Sequence, residues 1–260
     1  MADYVLVRKS RNIISEMMHA FLNILLGVGS VLITVLSGSP LIGIILVLIS
    51  KWRIFAVRRR YLMVNIKSNL VDLIVGLSIV LLTYYTGTEF LAVDFILMAF
   101  YVVWLIFIKP ASSEKMVVFQ SLTAVFLGMS LVAIMTANLD LILSVILAFV
   151  IGYASSRHTL VQSSDGDFRL TTLISGLIFM EVTWLSQTWS IIYTFGSSGI
   201  RIPQIAIILT IFAFVYNAVR AAVIKYQDKL KFEQIALPVI FGVVMIGAVV
   251  LFFSEPIFNI

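Results

Sequence analysis

Glu181 is the residue best placed to do chemistry. It stands eleven residues into an apolar run that extends from Leu170 to Tyr193. A charge in the middle of a membrane-spanning helix is costly, so such a group is a functional hypothesis by default. Glu181, Trp184 and Thr188 follow one another at three- and four-residue spacing, which puts them along one face of a helix. Thr183 and Gln187 fall on an adjacent face. A carboxyl in that setting can bind a proton or a cation, or hydrogen-bond a neighbouring helix. Asn217, three residues before Arg220 in a later apolar run, is a candidate partner across the bundle. Glu181, Trp184, Gln187 and Asn217 therefore form the candidate substrate- or ion-binding set. Asp94 lies one turn inside the end of its run and is expected to be hydrated. His19 and His158 have no metal-ligand neighbour at useful spacing, and no metal site is expected.

A second group of residues suits anionic lipid. Lys51, Arg53, Arg58, Arg59, Arg60 and Lys67 alternate with Trp52, Phe55 and Tyr61. Cations interleaved with aromatic rings fit a helix end that bends onto a membrane surface among anionic headgroups. Lys51 and Arg53 are expected to snorkel toward that surface. Lys51, Arg53, Arg58, Arg59 and Arg60 are the candidate headgroup contacts.

A third group carries carboxylates. Asn65, Asn69 and Asp72 follow the second apolar run, and Asp165 and Asp167 follow the sixth. Nine helices with acidic clusters in those two links resemble, in topology, the intramembrane prenyltransferase family. That family holds Mg²⁺-diphosphate with two aspartate-rich motifs. The resemblance implies a prenyl-transfer or lipid-phosphate enzyme working around Arg58 to Asp72. The chain departs from the pattern: Asn65 to Asp72 holds one carboxylate where several are expected, and Asp165-Gly-Asp167 is a short turn with different spacing. Mg²⁺ prefers convergent carboxylates plus substrate phosphates. There is no Walker loop, no Gly-x-Ser-x-Gly elbow and no His-Glu-x-x-His helix. The absence of cysteine removes disulfides, thiolate metal sites and cysteine nucleophiles. No cofactor is expected, and the enzyme reading ranks last.

The elements that must position these residues are legible in composition. The chain has 260 residues, 61% hydrophobic and 12% charged, where a soluble domain carries about 25% charged residues. Long unbroken apolar runs approach the roughly 20 residues that cross a hydrocarbon core. Helices satisfy their own backbone in lipid, and a β-barrel would instead show alternating strands of about 10 residues. The reading is an all-α polytopic integral membrane protein, a single transmembrane domain over residues 1–260 with no soluble domain. Its nine expected helices cover about 18–36, 40–57, 70–85, 90–108, 116–136, 139–154, 170–193, 203–223 and 235–253. The first is read as a retained helix and not as a signal peptide. Ser37-Gly38-Ser39, Thr86-Gly87-Thr88 and Ala137-Asn138 are short links, so successive helices form antiparallel hairpins.

With those runs marked, every Lys and Arg except Arg201 falls on one side. Positive residues in short loops stay cytoplasmic, which gives an N-in, C-out orientation in a cytoplasmic membrane. The net charge of +5 is then a topology signal and not evidence for nucleic acid. Gly27, Gly76, Gly128, Gly176 and Gly242 recur on the outward-running helices. They read either as membrane packing positions or as traces of duplicated hairpins. The expected function is a small permease or lipid-handling transport protein for an apolar or amphipathic substrate. The alternative is a non-catalytic membrane subunit or scaffold, with a partner membrane subunit or a second copy of the chain.

Overall fold

A computed structural model describes residues 13–56, 58–87, 91–136, 140–161, 168–189, 191–194, 200–226 and 230–252. Helices occupy the positions of all nine apolar runs. They are α1 (Ile13–Ser37), α2 (Pro40–Ser50), α3 (Trp52–Phe55), α4 (Arg59–Thr86), α5 (Leu91–Val103), α6 (Glu114–Met135), α7 (Leu141–Val161), α8 (Phe168–Ser186), α9 (Gln204–Tyr226) and α10 (Phe232–Phe252). A π turn, Trp104–Ile108, extends α5. Among the described residues, seven helices are long and apolar enough to cross a membrane. The other two long segments differ for separate reasons. α2 has 11 residues, and α8 is diluted by Arg169, Glu181 and its hydroxyl residues.

Several boundaries differ from the sequence expectation. The second helix does not continue to Val57: it stops at Ser50, and Lys51 leaves helical geometry before the short α3. The third expected helix, α4, begins at Arg59 and not at Leu70, so most of the basic stretch is helix and not link. A hydropathy reading ends a helix where polarity begins, whereas Arg, Lys, Leu and Met are all good helix formers. α7 likewise runs past Ala154 to Val161. The seventh helix ends at Ser186 and not near Tyr193. Beyond it, β1 (Ile192–Thr194) pairs antiparallel with β2 (Arg201–Pro203), Tyr193 opposite Ile202. Pro203 closes this ribbon and α9 starts one residue later.

Positive-φ glycines make two of the turns. Gly38 (φ 59°) reverses the chain between α1 and α2, and Gly87 (φ 74°) stops α4. Ser39 caps α2 by accepting from the Leu41 amide, and Pro40 takes the first helical position, where an N–H is not needed.

Two apolar clusters meet along α4 and α6. One is built from Val31, Val47, Val75, Ile79, Tyr101 and Trp104 of α1, α2, α4, α5 and the π turn. The other joins Val125, Met129, Ile151, Phe179 and Leu209 of α6, α7, α8 and α9. Ile74 and Phe126 pack against both. Small residues let the helices approach. A Cβ on Gly152 would lie 2.6 Å from the Phe179 ring, and one on Gly128 would lie 3.0 Å from Ile151 and Ile74. The outer surface is rich in exposed Leu, Ile, Val and Phe, including Leu36, Phe107, Ile142, Leu170, Leu237 and Leu251. Apolar exposure on this scale is unusual for a soluble monomer. With the seven long apolar helices, it gives the architecture of a multi-pass membrane protein.

Candidate functional site

The most concentrated chemistry is at the end of the bundle where α2, α4 and the π turn converge. Asp72, on the fourth turn of α4, is buried and accepts from two ammonium groups. Lys51 Nζ donates to Asp72 Oδ2, and Lys109 Nζ lies 2.7 Å from the same oxygen. Trp104 Nε1 donates to the other oxygen, Oδ1, at 3.1 Å. Lys51 has only 5% of its side chain exposed, against 40% for Lys109. A buried carboxylate is tolerable only when it is paired and hydrogen-bonded, and these three donors supply both. The group holds two cations and one anion, so it retains a formal positive charge.

The π turn explains how Trp104 and Lys109 reach one carboxylate. In a regular α-helix five residues advance about 500°, leaving the pair some 140° apart. The wider turn, closed by Lys109 N–H on the Trp104 carbonyl at 2.8 Å, brings them closer to one face. Gln120 of α6 serves the carbonyls this irregular end leaves open. Its Nε2 donates to Ile108 O at 2.5 Å and Ala111 O at 2.9 Å. Gln120 Oε1 faces His158 Nε2 of α7 at 2.7 Å. Nearby, Ser121 Oγ and Ser155 Oγ are 2.8 Å apart. One polar layer thus ties α2, α4, α5, α6 and α7 together. Above it, the Tyr101 hydroxyl is buried beside Gly76 and has no hydrogen-bond partner among the described residues.

The residues singled out from sequence are placed differently. Glu181 and Trp184 are exposed on the outer face of α8, and Trp184 is 57% exposed. Gln187 borders a narrow crevice with Thr183, Ser186 and Ile191. Asn217 is buried and donates to Ala213 O of its own helix at 2.8 Å. It lines a separate recess of about 250 Å³ with Glu114, Thr159 and Arg220. The structure therefore does not bring Glu181 and Asn217 together. α8 packs chiefly on α7, which turns the Glu181 face away from the bundle.

Lys51 is a correction: it points inward to Asp72 and does not snorkel outward. Arg58 and Arg60 are exposed, Arg60 lying over the Tyr61 ring at 4.6 Å. The side chains of Arg53 and Arg59, and residues Asp165 and Asp167, lie outside the described residues. Asp72 is not in a link but inside α4, its carboxylate occupied by lysines. Asp94 is buried, on the lining of an apolar crevice with Val31, Leu32 and Met98. His158 is helical, not in a loop.

Sequence reasoning missed Lys109, Trp104, Gln120 and His158. One signal was present: Asp72 is set inside an apolar run, and Lys51 and Lys109 end two neighbouring runs on the same side.

At the opposite end lies an apolar cavity of about 230 Å³. Leu82 and Tyr85 of α4, Ile96 and Leu97 of α5, and Phe126 and Ser130 of α6 form its walls. Arg201 of β2 stands on its lining. The Ser130 hydroxyl is buried and unpartnered among the described residues. No protein-family description, curated protein or solved structure matches the chain.

Proposed function

We propose that the chain is a small permease or lipid-handling transport protein for an apolar or amphipathic substrate. Its place is the cytoplasmic membrane, with the polar layer of Asp72 on the inner side. The observation that carries the reading is the arrangement along α4, α5 and α6. The apolar cavity has Arg201 on its lining at one end. The same α4 and α5 are tied by Asp72, Trp104 and Lys109 at the other. Leu82 is ten residues beyond Asp72, about 15 Å along the helix. A cavity on one side and an ionic closure on the other suit alternating access. The walls fit an alkyl chain, and Arg201 fits an acidic head.

The test is translocation of a fluorescent phospholipid in proteoliposomes. Ser130→Phe fills the cavity from α6 and leaves the ionic layer in place. It is expected to slow translocation roughly tenfold or more, a loss of about 1.4 kcal/mol of transition-state binding. A Ser130→Phe protein that is folded and as fast as the parent removes the cavity from the route. No translocation by the parent removes the lipid-handling reading itself.

A second reading is a membrane subunit that docks on a partner. Glu181 favours it, because an acid exposed on a lipid-facing helix is costly without one. Glu181→Leu should then release a co-purifying membrane protein or second copy, visible as a mass change in detergent. Unchanged mass in both proteins counts against it.

A further inference from the structure

Asp94, on the first turn of α5, is a buried acid that the ionic layer does not serve. It is 4% exposed, and neither carboxyl oxygen has a hydrogen-bond partner among the described residues. It stands on the wall of a crevice of about 30 Å³ between α1 and α5. The other lining residues are Val31, Leu32, Val35, Leu91, Phe95 and Met98, all of them apolar. A water placed there would find no second polar side chain, where buried waters usually make about three hydrogen bonds.

No base is in reach to neutralise the acid. α1 and α2 carry no charged residue or histidine between Ala20 and Ser50, nor does α4 between Leu73 and Thr86. Along α5 and the π turn the next charged residue is Lys109, fifteen positions on and about 22 Å away. That lysine is held by Asp72. Thr88, Glu89 and Phe90, before α5, lie outside the described residues and include no base. Tyr84 and Tyr85, near the end of α4, bond neither oxygen. Arg201 lines the cavity with Val93 and Ile96, on a different face of α5, and bonds neither oxygen.

A carboxylate buried among alkyl groups is unfavourable unless it is paired and hydrogen-bonded. Asp94 is neither. The first turn of α5 favours an anion through the helix dipole, but weakly beside the cost of an unpaired buried charge. A metal cation such as Mg²⁺ or Ca²⁺ needs several oxygen ligands, and the crevice supplies one carboxyl. A proton needs no further ligand. Leu32, Leu91 and Phe95 on the crevice lining are also well exposed on the apolar outer surface.

We infer that Asp94 is a proton-binding site, a carboxyl that keeps its proton at neutral pH and opens to the lipid between α1 and α5. The site is separate from the cavity near Arg201 and does not rest on the transport reading. Its chemistry is that of a carboxylic acid. Such an acid adds to a lipid-soluble carbodiimide, its proton passing to one nitrogen and its oxygen bonding the central carbon. The acyl group then migrates to the other nitrogen, giving a stable N-acylurea with no atom lost. A carboxylate lacks the proton that starts the addition.

The test treats the full chain in phosphatidylcholine proteoliposomes with dicyclohexylcarbodiimide and maps adducts by peptide mass. The Asp94 adduct is expected to change less than about twofold between pH 5 and pH 7, whereas the acid fraction of an ordinary aspartate falls roughly a hundredfold. Asp140, exposed before α7, is the ordinary aspartate of the same chain. A second readout is the infrared spectrum of the parent minus that of Asp94→Asn at neutral pH. It should contain the carbonyl band of a carboxylic acid, and Asp94→Asn should give no adduct at that position. A hundredfold fall at Asp94, or carboxylate bands in the difference spectrum, overturns the proton. No adduct on Asp94 at either pH overturns the site as an acid open to lipid. Where Asp94→Asn fails to fold, the pH comparison on the parent decides alone.

Discussion

Asp72 is where a single atom has the largest consequence. Removing its charge while keeping its shape, as in Asp72→Asn, leaves Lys51 buried with no anion. Breaking a buried pair typically costs about 3–5 kcal/mol. Asp72→Asn should therefore lower the melting temperature in detergent markedly, read from tryptophan fluorescence. Lys109, less buried, can turn toward water, whereas Lys51 cannot. Replacing both members, Lys51→Met with Asp72→Leu, should recover much of the loss, since an apolar pair needs no partner. A double variant as unstable as Asp72→Asn would mean that the layer does more than neutralise itself. Gln120→Leu should cost about 1–3 kcal/mol by the same assay, because it strands carbonyls of the π turn and the His158 ring. A melting point unchanged from the parent would show that water serves those carbonyls equally well. At this scale the sequence was partly legible. Asp72 could be recognised as an acid inside an apolar run. Its partners could not, because Lys51, Trp104 and Lys109 are brought to it by the break after α2 and by the π turn. Neither irregularity has a local sequence signature. Glu181 stood out for the same kind of reason and proved to face outward, since polarity within a run does not reveal which side of the helix meets a neighbour.

Element by element, the helices were readable and their ends were not. Each apolar run contains a helix, but α4 and α7 extend into polar sequence, because hydropathy reports lipid contact and not helicity. The ribbon of β1 and β2 was missed because Ile192, Tyr193 and Thr194 continue an apolar run. Helix pairing depends on close approaches that glycine permits. α7 and α8 meet where Gly152 faces Phe179. Gly152→Leu should drive the two apart, at a cost of about 3 kcal/mol. The second-site change Phe179→Ala should restore part of that stability by opening space. The readout is the thermal midpoint of both proteins side by side, and a Gly152→Leu protein as stable as the parent would contradict the packing. Gly27, Gly76, Gly128, Gly176 and Gly242 all sit at such close approaches, as packing positions in a helix bundle do.

At the scale of the whole molecule, sidedness can be read chemically. The chain lacks cysteine, so single cysteines report cleanly. Ser39→Cys in the first link should react in intact cells with a membrane-impermeant maleimide, and Ser113→Cys before α6 should react only after lysis. The reverse pattern would invert the orientation drawn from the positive charges. Within either orientation, α2 has a consequence for the bilayer. Its 11 residues rise about 16 Å, roughly half the thickness of a hydrocarbon core. The chain then breaks at Lys51, whose ammonium is held by Asp72. Lipid beside α2 cannot match so short a helix without thinning, at fractions of a kcal/mol per Å. Bilayer thickness becomes an operating variable for such a protein: its Asp72 layer should be more strained in long-chain lipid and more relaxed in short-chain lipid.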